Sequence, residues 1–369
     1  MDLVGDMLLH NLQHDHAASF HVERLRPSYA RHLIQLANGP MKLVDTAERA
    51  LNRFVMYPRW LSRYAERFDV YHIVDHSYAH LVHRLPKQRA VVTCHDTDAF
   101  RCLVEPAGSL PMRARQHIAR NLLSGLQRAA HVICDSSATA DDLLFHGWTQ
   151  PEQTSVVNLG VDRAFSPVDD PDADQQIEQL LASASGRIKL LHVGSAVPRK
   201  RIDVLLQVLA QIKRDIPNTM LVRVGGPLTA PQRALASRLG VESSVLALPF
   251  LTTRQLAAVY RKCTLLILPS EREGFGLPLL EAMACGLPVV ASDIPALREV
   301  GGNAALYSAV GDIQSLCQNA VKIIGATETQ SADMLMRRDA RLRQAKQFSW
   351  EKCACETATI YEKVLAGEN

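Results

Sequence analysis

Two glutamates, Glu273 and Glu281, flank the turn Gly274-Phe275-Gly276 within the run EREGFGLPLLEA, Glu271–Ala282. The run follows an apolar stretch, Leu265–Leu268, that ends at Pro269. Pro278 suits the first turn of a helix, where a missing N–H costs nothing, and Gly286 suits its end. Residues 270–277 therefore read as a strand-to-helix loop at the carboxyl edge of a parallel sheet, the edge where open α/β sheets bind ligands. The two glycines let the backbone approach a ligand closely. The amides around Gly276–Leu279 carry the positive end of the helix dipole, an anion site suited to a diphosphate. Glu273 can then reach a neutral polar group such as a sugar hydroxyl, and Glu281, one turn into the helix, can accept from another, such as that of a ribose. The dipole also stabilises an acid near a helix start with no ligand present. That bland account covers Glu281 alone but does not explain two close glycines.

Two further stretches sit at equivalent places. GSAVPRKR, Gly194–Arg201, follows an apolar strand and precedes a helix, so Arg199 and Lys200 can neutralise a diphosphate there. Alone it is no more than a solvated basic loop. VVTCHD, Val91–Asp96, places His95 and Asp96 at a strand end in the first half of the chain. A histidine that merely caps a strand end is the plain alternative.

The elements that must hold these loops are legible as alternation. In the first half, helical residues 1–12 carry Leu3, Met7 and Leu8 on one face with Val4 and Leu12 beside it. Phe20–Leu25 reads as a strand. Residues 47–68 form a basic, aromatic amphipathic stretch broken at Pro58. Strands follow at 70–74, 90–94, 131–134 and 155–159, with helices at 113–129 and 136–145. Phe165 to Gly186 is rich in Asp, Pro, Ser and Gln, and its start reads as a linker. Beyond it, strands at 189–193, 220–224, 245–248, 265–268 and 289–292 alternate with helices at 202–213, 231–239, 253–262 and 278–284. Apolar strands alternating with helices predict parallel sheets covered on both faces.

Composition bounds the rest. The 369 residues exceed one ordinary core, so two domains are expected. With 47% apolar residues, 21% charged and a net charge of +3, the chain is globular and makes no strong electrostatic case for nucleic acid, a local basic groove aside. Eight scattered cysteines form no CxxC pair; Cys353 and Cys355 lack the second pair a zinc site needs, and reduced thiols are expected. His72, His76, His80 and His83 suggest metal spacing, but His72 falls in a strand, which breaks the i,i+4 geometry. The opening MDLVGDMLLHNL lacks signal-peptide features, and no apolar run is long enough for a membrane span. Arg53, Arg59, Arg63 and Arg67, interleaved with Tyr57, Trp60, Tyr64 and Phe68, read either as an anionic-lipid contact or as a helix on its own core. No strand leads into G-x-G-x-x-G, which argues against a nucleotide-dependent oxidoreductase; Gly225-Gly226-Pro227 is too short. A hydrolase pairing of Glu273 with Glu281 needs one protonated acid at a glycosidic oxygen, and the neighbouring phosphate-type features favour transfer.

Read together, E-G-F-G-L-P-x-x-E from Glu273 to Glu281, the turn Pro198-Arg199-Lys200 and strand-end His95-Asp96 resemble the family 4 retaining glycosyltransferases, glycosyl transferases group 1. The likeness runs from about Asp69 to Tyr361. It implies an α/β fold of two Rossmann-like doubly wound domains facing across a cleft, the arrangement called GT-B. Residues 1–165 would form the acceptor-side domain, completed by the C-terminal helix 350–369, and residues 166–349 the nucleotide-sugar domain. His95, Glu273, Lys200 and Arg199 would be catalytic. Gly194, Ser195, Phe250, Leu251, Gly274, Phe275, Gly276, Leu277 and Glu281 would bind the donor, with the base near Pro249–Leu251. His76, Tyr78 and Asp96 would face the acceptor. The reaction implied is transfer of a hexose from a UDP- or GDP-linked sugar to a sugar or lipid-linked sugar, as in polysaccharide or glycoconjugate biosynthesis. No metal and no cofactor beyond that co-substrate are expected. The implied location is cytoplasmic, at the inner face of the membrane if the basic aromatic stretch binds lipid. Two departures stand out. Many members carry arginine where this chain has Ser195, and the family's first strand and glycine-rich loop would precede Met1. The second departure keeps a non-catalytic nucleotide-sugar- or partner-binding protein of the same fold as the alternative.

Overall fold

The computed structural model describes residues 2–30, 41–104, 110–329 and 332–367. The chain divides into two compact units: Met1–Asn158 with Trp350–Asn369, and Leu159–Ser349.

The first unit opens with helix α1, Asp2–Asp15. Its buried apolar side chains are Val4, Leu8 and Leu12, one i,i+4 stripe, while the expected face residue Leu3 is exposed. Phe20–Leu25 is not a strand. The segment is irregular and held by side chains: Gln13 Nε2 donates to the Val22 carbonyl at 2.8 Å, and Arg67 pairs with Glu23 at 2.8 Å. Helix α2, Met41–Leu51, runs into a π-helical turn, Asn52–Met56, and then α3, Tyr57–Leu61. Pro58 has no N–H for the carbonyl one turn back, and its ring crowds that carbonyl, so the turn ahead of it widens. Tyr57 N–H reaches the Asn52 carbonyl instead.

Strands β1, Tyr71–Ile73, β2, Ala90–Cys94, β3, His131–Cys134, and β4, Thr154–Val156, form a parallel sheet in sequential order. A 3₁₀ segment, His76–Arg84, joins β1 to β2; helix α4, Leu110–Arg128, joins β2 to β3; and α5, Ser137–Phe145, joins β3 to β4. Helix α5 is capped, with Ser136 Oγ accepting from Thr139 N–H at 3.2 Å.

In the second unit, β5, Ile188–Val193, β6, Thr219–Val224, β7, Val245–Ala247, β8, Leu265–Leu268, β9, Val289–Ser292, and β10, Leu306–Ser308, form a parallel sheet ordered β10-β9-β8-β5-β6-β7. Counted from β5, that order is 3-2-1-4-5-6 when read from β7, the doubly wound arrangement with its switch point between β5 and β8. Helices α7, Ile202–Asp215, α8, Ala230–Arg238, α9, Thr253–Lys262, α10, Leu277–Ala284, and α11, Pro295–Gly301, are the crossovers, followed by α12, Ile313–Thr329, and α13, Ala332–Ala345. One face of the sheet buries Leu190, Leu221, Leu265 and Val290 against the apolar stripes of α7 and α12.

The polar stretch after Phe165 holds an unforeseen helix, α6, Pro171–Leu180, capped by Asp170. Ala173 and Ile177 face inward, while Leu180 is exposed. Three ion pairs fasten it to α9: Asp174–Arg261 at 2.8 Å, Asp170–Arg254 at 2.6 Å and Glu178–Lys262 at 2.6 Å. The last helix, α14, Trp350–Ala366, belongs to the first unit and packs on α1.

Candidate functional site

The loops after β5 and β8, which carry the two phosphate-type motifs, are brought side by side by the strand order of the second unit. Between them stands an ion-paired trio. Lys200 Nζ donates to both Glu273 oxygens, at 2.6 and 2.8 Å, and Arg199 Nη1 reaches Glu273 Oε2 at 3.3 Å. The Lys200 and Glu273 side chains are only 10% and 7% exposed. Backbone contacts stitch the same loops, with Glu271 N–H on the Arg199 carbonyl at 2.8 Å and Arg199 Nη1 on the Arg272 carbonyl at 3.0 Å. Separate tasks were expected of Lys200 and Glu273, but here each neutralises the other. Lys200 is a buried point charge that a second anion can share.

Glycine is required at two points. Gly276 caps α10 at φ 106°, and a Cβ there would lie 2.5 Å from Leu297 Cδ2. A Cβ on Gly225, in the loop after β6, would lie 2.2 Å from the Gly194 carbonyl oxygen. Leu279 and Leu280 N–H both go to the Gly276 carbonyl, at 2.9 and 3.2 Å. Pro278 has no N–H to give, so the donors left at this helix start are the amides of Gly276 and Leu277. Gly274 and Phe275 are buried behind them, and Phe275 packs on Phe348 at 5.8 Å between centroids.

Glu281 is buried and accepts from Tyr260 Oη at 2.7 Å. Burial is the main cause that lifts its carboxyl to about 7; the Tyr260 hydrogen bond opposes the rise and the charge of Asp162 adds to it. Leu251 is half-buried beside α9, whereas Phe250 is 97% exposed and projects into solvent. The loop expected to meet the base therefore offers no aromatic wall from Phe250. Ser195 is likewise exposed.

In the first unit, His95 is fixed at both ring nitrogens. Nδ1 faces Asp135 Oδ2 at 2.6 Å and Nε2 the Val74 carbonyl at 2.7 Å. A carbonyl only accepts, so Nε2 carries a proton, and Nδ1 is left to Asp135. Burial, the largest influence, pushes this imidazole down, but the charge and hydrogen bond of Asp135, with Val74 and Asp75, outweigh it and raise the pKa. The ring expected to touch a sugar thus has both nitrogens engaged within the first unit. His76 is buried and its Nδ1 accepts from the backbone N–H of His95 at 3.3 Å, with its Nε2 3.9 Å from Asp96 Oδ1. Burial lowers its pKa. His76, His95 and Asp96 are therefore together. Tyr78 is occupied elsewhere, under the Arg53 guanidinium at 5.1 Å.

The four histidines with metal-like spacing part ways. His72 joins Tyr361 and Thr93, His80 the Arg53 carbonyl, and His83 Ser124. In the basic aromatic stretch Arg53 lies over Phe54 and Tyr78, and Arg67 over Phe68.

Sequence reasoning missed Asp135 and Tyr260. Asp135 had a findable signal: the register Cys94↔Cys134 makes residues 95 and 135 neighbours at two adjoining strand ends. Asp135→Asn is expected to lower the His95 pKa, because burial would then be opposed only by the weaker influences of the Val74 carbonyl and Asp75. It should destabilise the first unit by about 3 kcal/mol. A raised histidine pKa stabilises fully below 6.5, and that contribution fades as pH rises through the raised value, so the loss should be greatest near pH 6. NMR titration of the His95 Cε1–H and melting curves at pH 6 and 9 check this. An unchanged His95 pKa would refute it.

Comparison with known proteins bears on this geometry. Residues 174–329 match the family model described as Glycosyl transferases group 1, and residues 9–165 the model described as Glycosyltransferase Family 4. The chain is 31% identical over 282 residues to a D-inositol 3-phosphate glycosyltransferase of Streptomyces bingchenggensis, covering 70% of this chain and 58% of that one. It is 32% identical over 241 residues to an MMP alpha-(1->4)-mannosyltransferase of Mycolicibacterium hassiacum, covering 63% and 53%. The chain thus spans under two thirds of either relative. Among solved structures, HepE of Anabaena in complex with UDP and glucose is similar in fold, with a TM-score of 0.68 and 21% identity, covering 88% of this chain and 90% of that one.

Proposed function

Because the chain belongs to the family 4 glycosyltransferases, glycosyl transferases group 1, we propose that it moves a hexose from a nucleoside diphosphate sugar to an acceptor hydroxyl with retention of anomeric configuration. The observation that carries this reading is the trio Lys200–Arg199–Glu273 beside the free amides of Gly276 and Leu277, all at the switch point of one doubly wound sheet. As the sugar–phosphate bond breaks, negative charge builds on the leaving diphosphate. Lys200, Arg199 and the start of α10 stabilise that charge in a site already largely shielded from water, without calling on a metal. Glu273, whose oxygens retain acceptor capacity beyond their bonds to Lys200, takes a donor-sugar hydroxyl, and Glu281 a ribose hydroxyl. In the first unit, His76 and Asp96 hold the acceptor, with His95, fixed on Asp135, beside them.

UDP, named in the Anabaena HepE complex, and GDP make the two natural probes. One of them is expected to bind with a dissociation constant of roughly micromolar order. The matching nucleotide hexose should then be consumed with a suitable acceptor, and NMR of the product should show the donor's anomeric configuration. Inversion would refute the stereochemical claim. Binding of neither nucleotide to the folded protein would sink the donor reading, and binding without turnover across many acceptors would leave a nucleotide-sugar-binding protein.

A further inference from the structure

Arg223 lies at the carboxyl end of β6, a position no motif singles out, and is 0% exposed. Among the described residues its guanidinium meets no carboxylate. Nη2 donates to the Gly194 carbonyl at 3.0 Å, Nη1 donates to the Gly226 carbonyl, and Nε has no partner. Burial lowers its pKa, and no neighbouring charge is found to offset that. An unpaired buried cation is costly, and an apolar residue would fill a central strand more cheaply. Its cross-strand neighbour His192 is also fully buried, with both ring nitrogens unpartnered, and is held neutral, down to about 3, by burial and by the charges of Arg223 and Lys200. The positive charge under this loop therefore comes from Arg223 and Lys200.

The contact with Gly194 has a geometric consequence. In a planar trans peptide, the carbonyl of one residue and the N–H of the next point in opposite directions. No peptide bond in the described chain is cis. With the Gly194 carbonyl turned inward onto Arg223, the Ser195 N–H is turned outward, and Ser195 is exposed. The same guanidinium ties down the Gly226 carbonyl in the loop that touches Gly194 at Gly225.

We propose that Arg223 is a positioning residue for the diphosphate of the donor: it locks the Gly194–Ser195 peptide with its N–H toward the anion and sets a buried positive charge beneath it. It thereby supplies from within the sheet what Ser195 lacks as a side chain. This rests on the donor reading above.

The test is titration of the full chain with UDP and GDP and with the corresponding nucleosides, on wild type, Arg223→Met and Arg223→Lys. For the nucleotide that wild type binds, Arg223→Met is expected to weaken the diphosphate about 30-fold, the worth of a charge-assisted contact, while the nucleoside changes less than about twofold. Arg223→Lys keeps the charge but cannot span both carbonyls, so it should fall between the two. Diphosphate affinity unchanged in Arg223→Met, or diphosphate and nucleoside lost in parallel, would overturn the proposal, since parallel loss is what a merely structural residue would give. Should Arg223→Met fail to fold, Arg223→Gln, which keeps a donor for Gly194 without the charge, reads the same ratio against the same criteria. Wild type binding neither diphosphate would instead refute the donor reading itself.

Discussion

Lys200→Ala is expected to lose measurable binding of the nucleoside diphosphate and to cut turnover about 10²–10³-fold, the range seen when one preorganised donor to a developing anion is removed. The same change should destabilise the second unit by about 2 kcal/mol, because the 7%-exposed Glu273 side chain loses its two shortest bonds. Arg199, at 3.3 Å, stays to hold the loss below that of a fully orphaned charge. The two effects separate in Lys200→Ala combined with Glu273→Gln. Neutralising Glu273 removes the stranded charge, so the double variant should recover much of the stability and none of the nucleotide affinity. Calorimetric titration and thermal melting of all four proteins read this cycle. Diphosphate affinity within about threefold of wild type in folded Lys200→Ala would remove Lys200 from the site.

Glu281→Gln is expected to make the protein more stable at pH 8 and a poorer nucleotide binder. The carboxyl stands at about 7 in the folded chain against an ordinary 4.5, mainly through burial. Between those values the folded state holds a proton that the unfolded state has released, so stability falls as pH rises through that window. The full cost, about 3 kcal/mol, is felt above pH 7. A neutral amide escapes it and can still accept from Tyr260 Oη. The melting temperature of the second unit should therefore rise on the order of 5–10 °C at pH 8 and change little near pH 4. Nucleotide affinity should drop about tenfold, since a neutral acceptor replaces a charged one at the ribose. Wild-type affinity should rise between pH 6 and 8, and that of the variant should stay flat. A destabilised variant at pH 8 would show that the buried carboxylate is paid for by contacts other than Tyr260.

The alternation of apolar strands and capped helices was plain in the residues themselves. Strands Ala90–Cys94, His131–Cys134, Leu265–Leu268 and Val289–Ser292 and helix Thr253–Lys262 fall where periodicity places them. These are the elements whose stability is nearly all apolar burial, which a one-dimensional pattern records. Helix α6 escaped because its hold on the fold is electrostatic: three acids, Asp170, Asp174 and Glu178, meet three cations of α9 that are far away in sequence. Phe20–Leu25 misled for the opposite reason. It has a strand's composition but no partner strand, and pairing is not written in a single segment.

The same division holds at the candidate site. Chain order and residue type alone established an α/β chain with glycine-relieved loops at strand ends, a helix start armed for an anion, and Arg199, Lys200, Glu273 and Glu281 as the groups able to use it. Only the tertiary structure decided what these groups meet. The sheet order brings the loops after β5 and β8 together, so Lys200 is neutralised by Glu273. Burial moves Glu281 toward neutrality against the opposing Tyr260 hydrogen bond, and the adjoining ends of β2 and β3 place His95 on Asp135, which raises its pKa. A side chain's type lists the interactions open to it. Its charge state and partner depend on distance and on exclusion of water, and both of these come from residues remote in the chain.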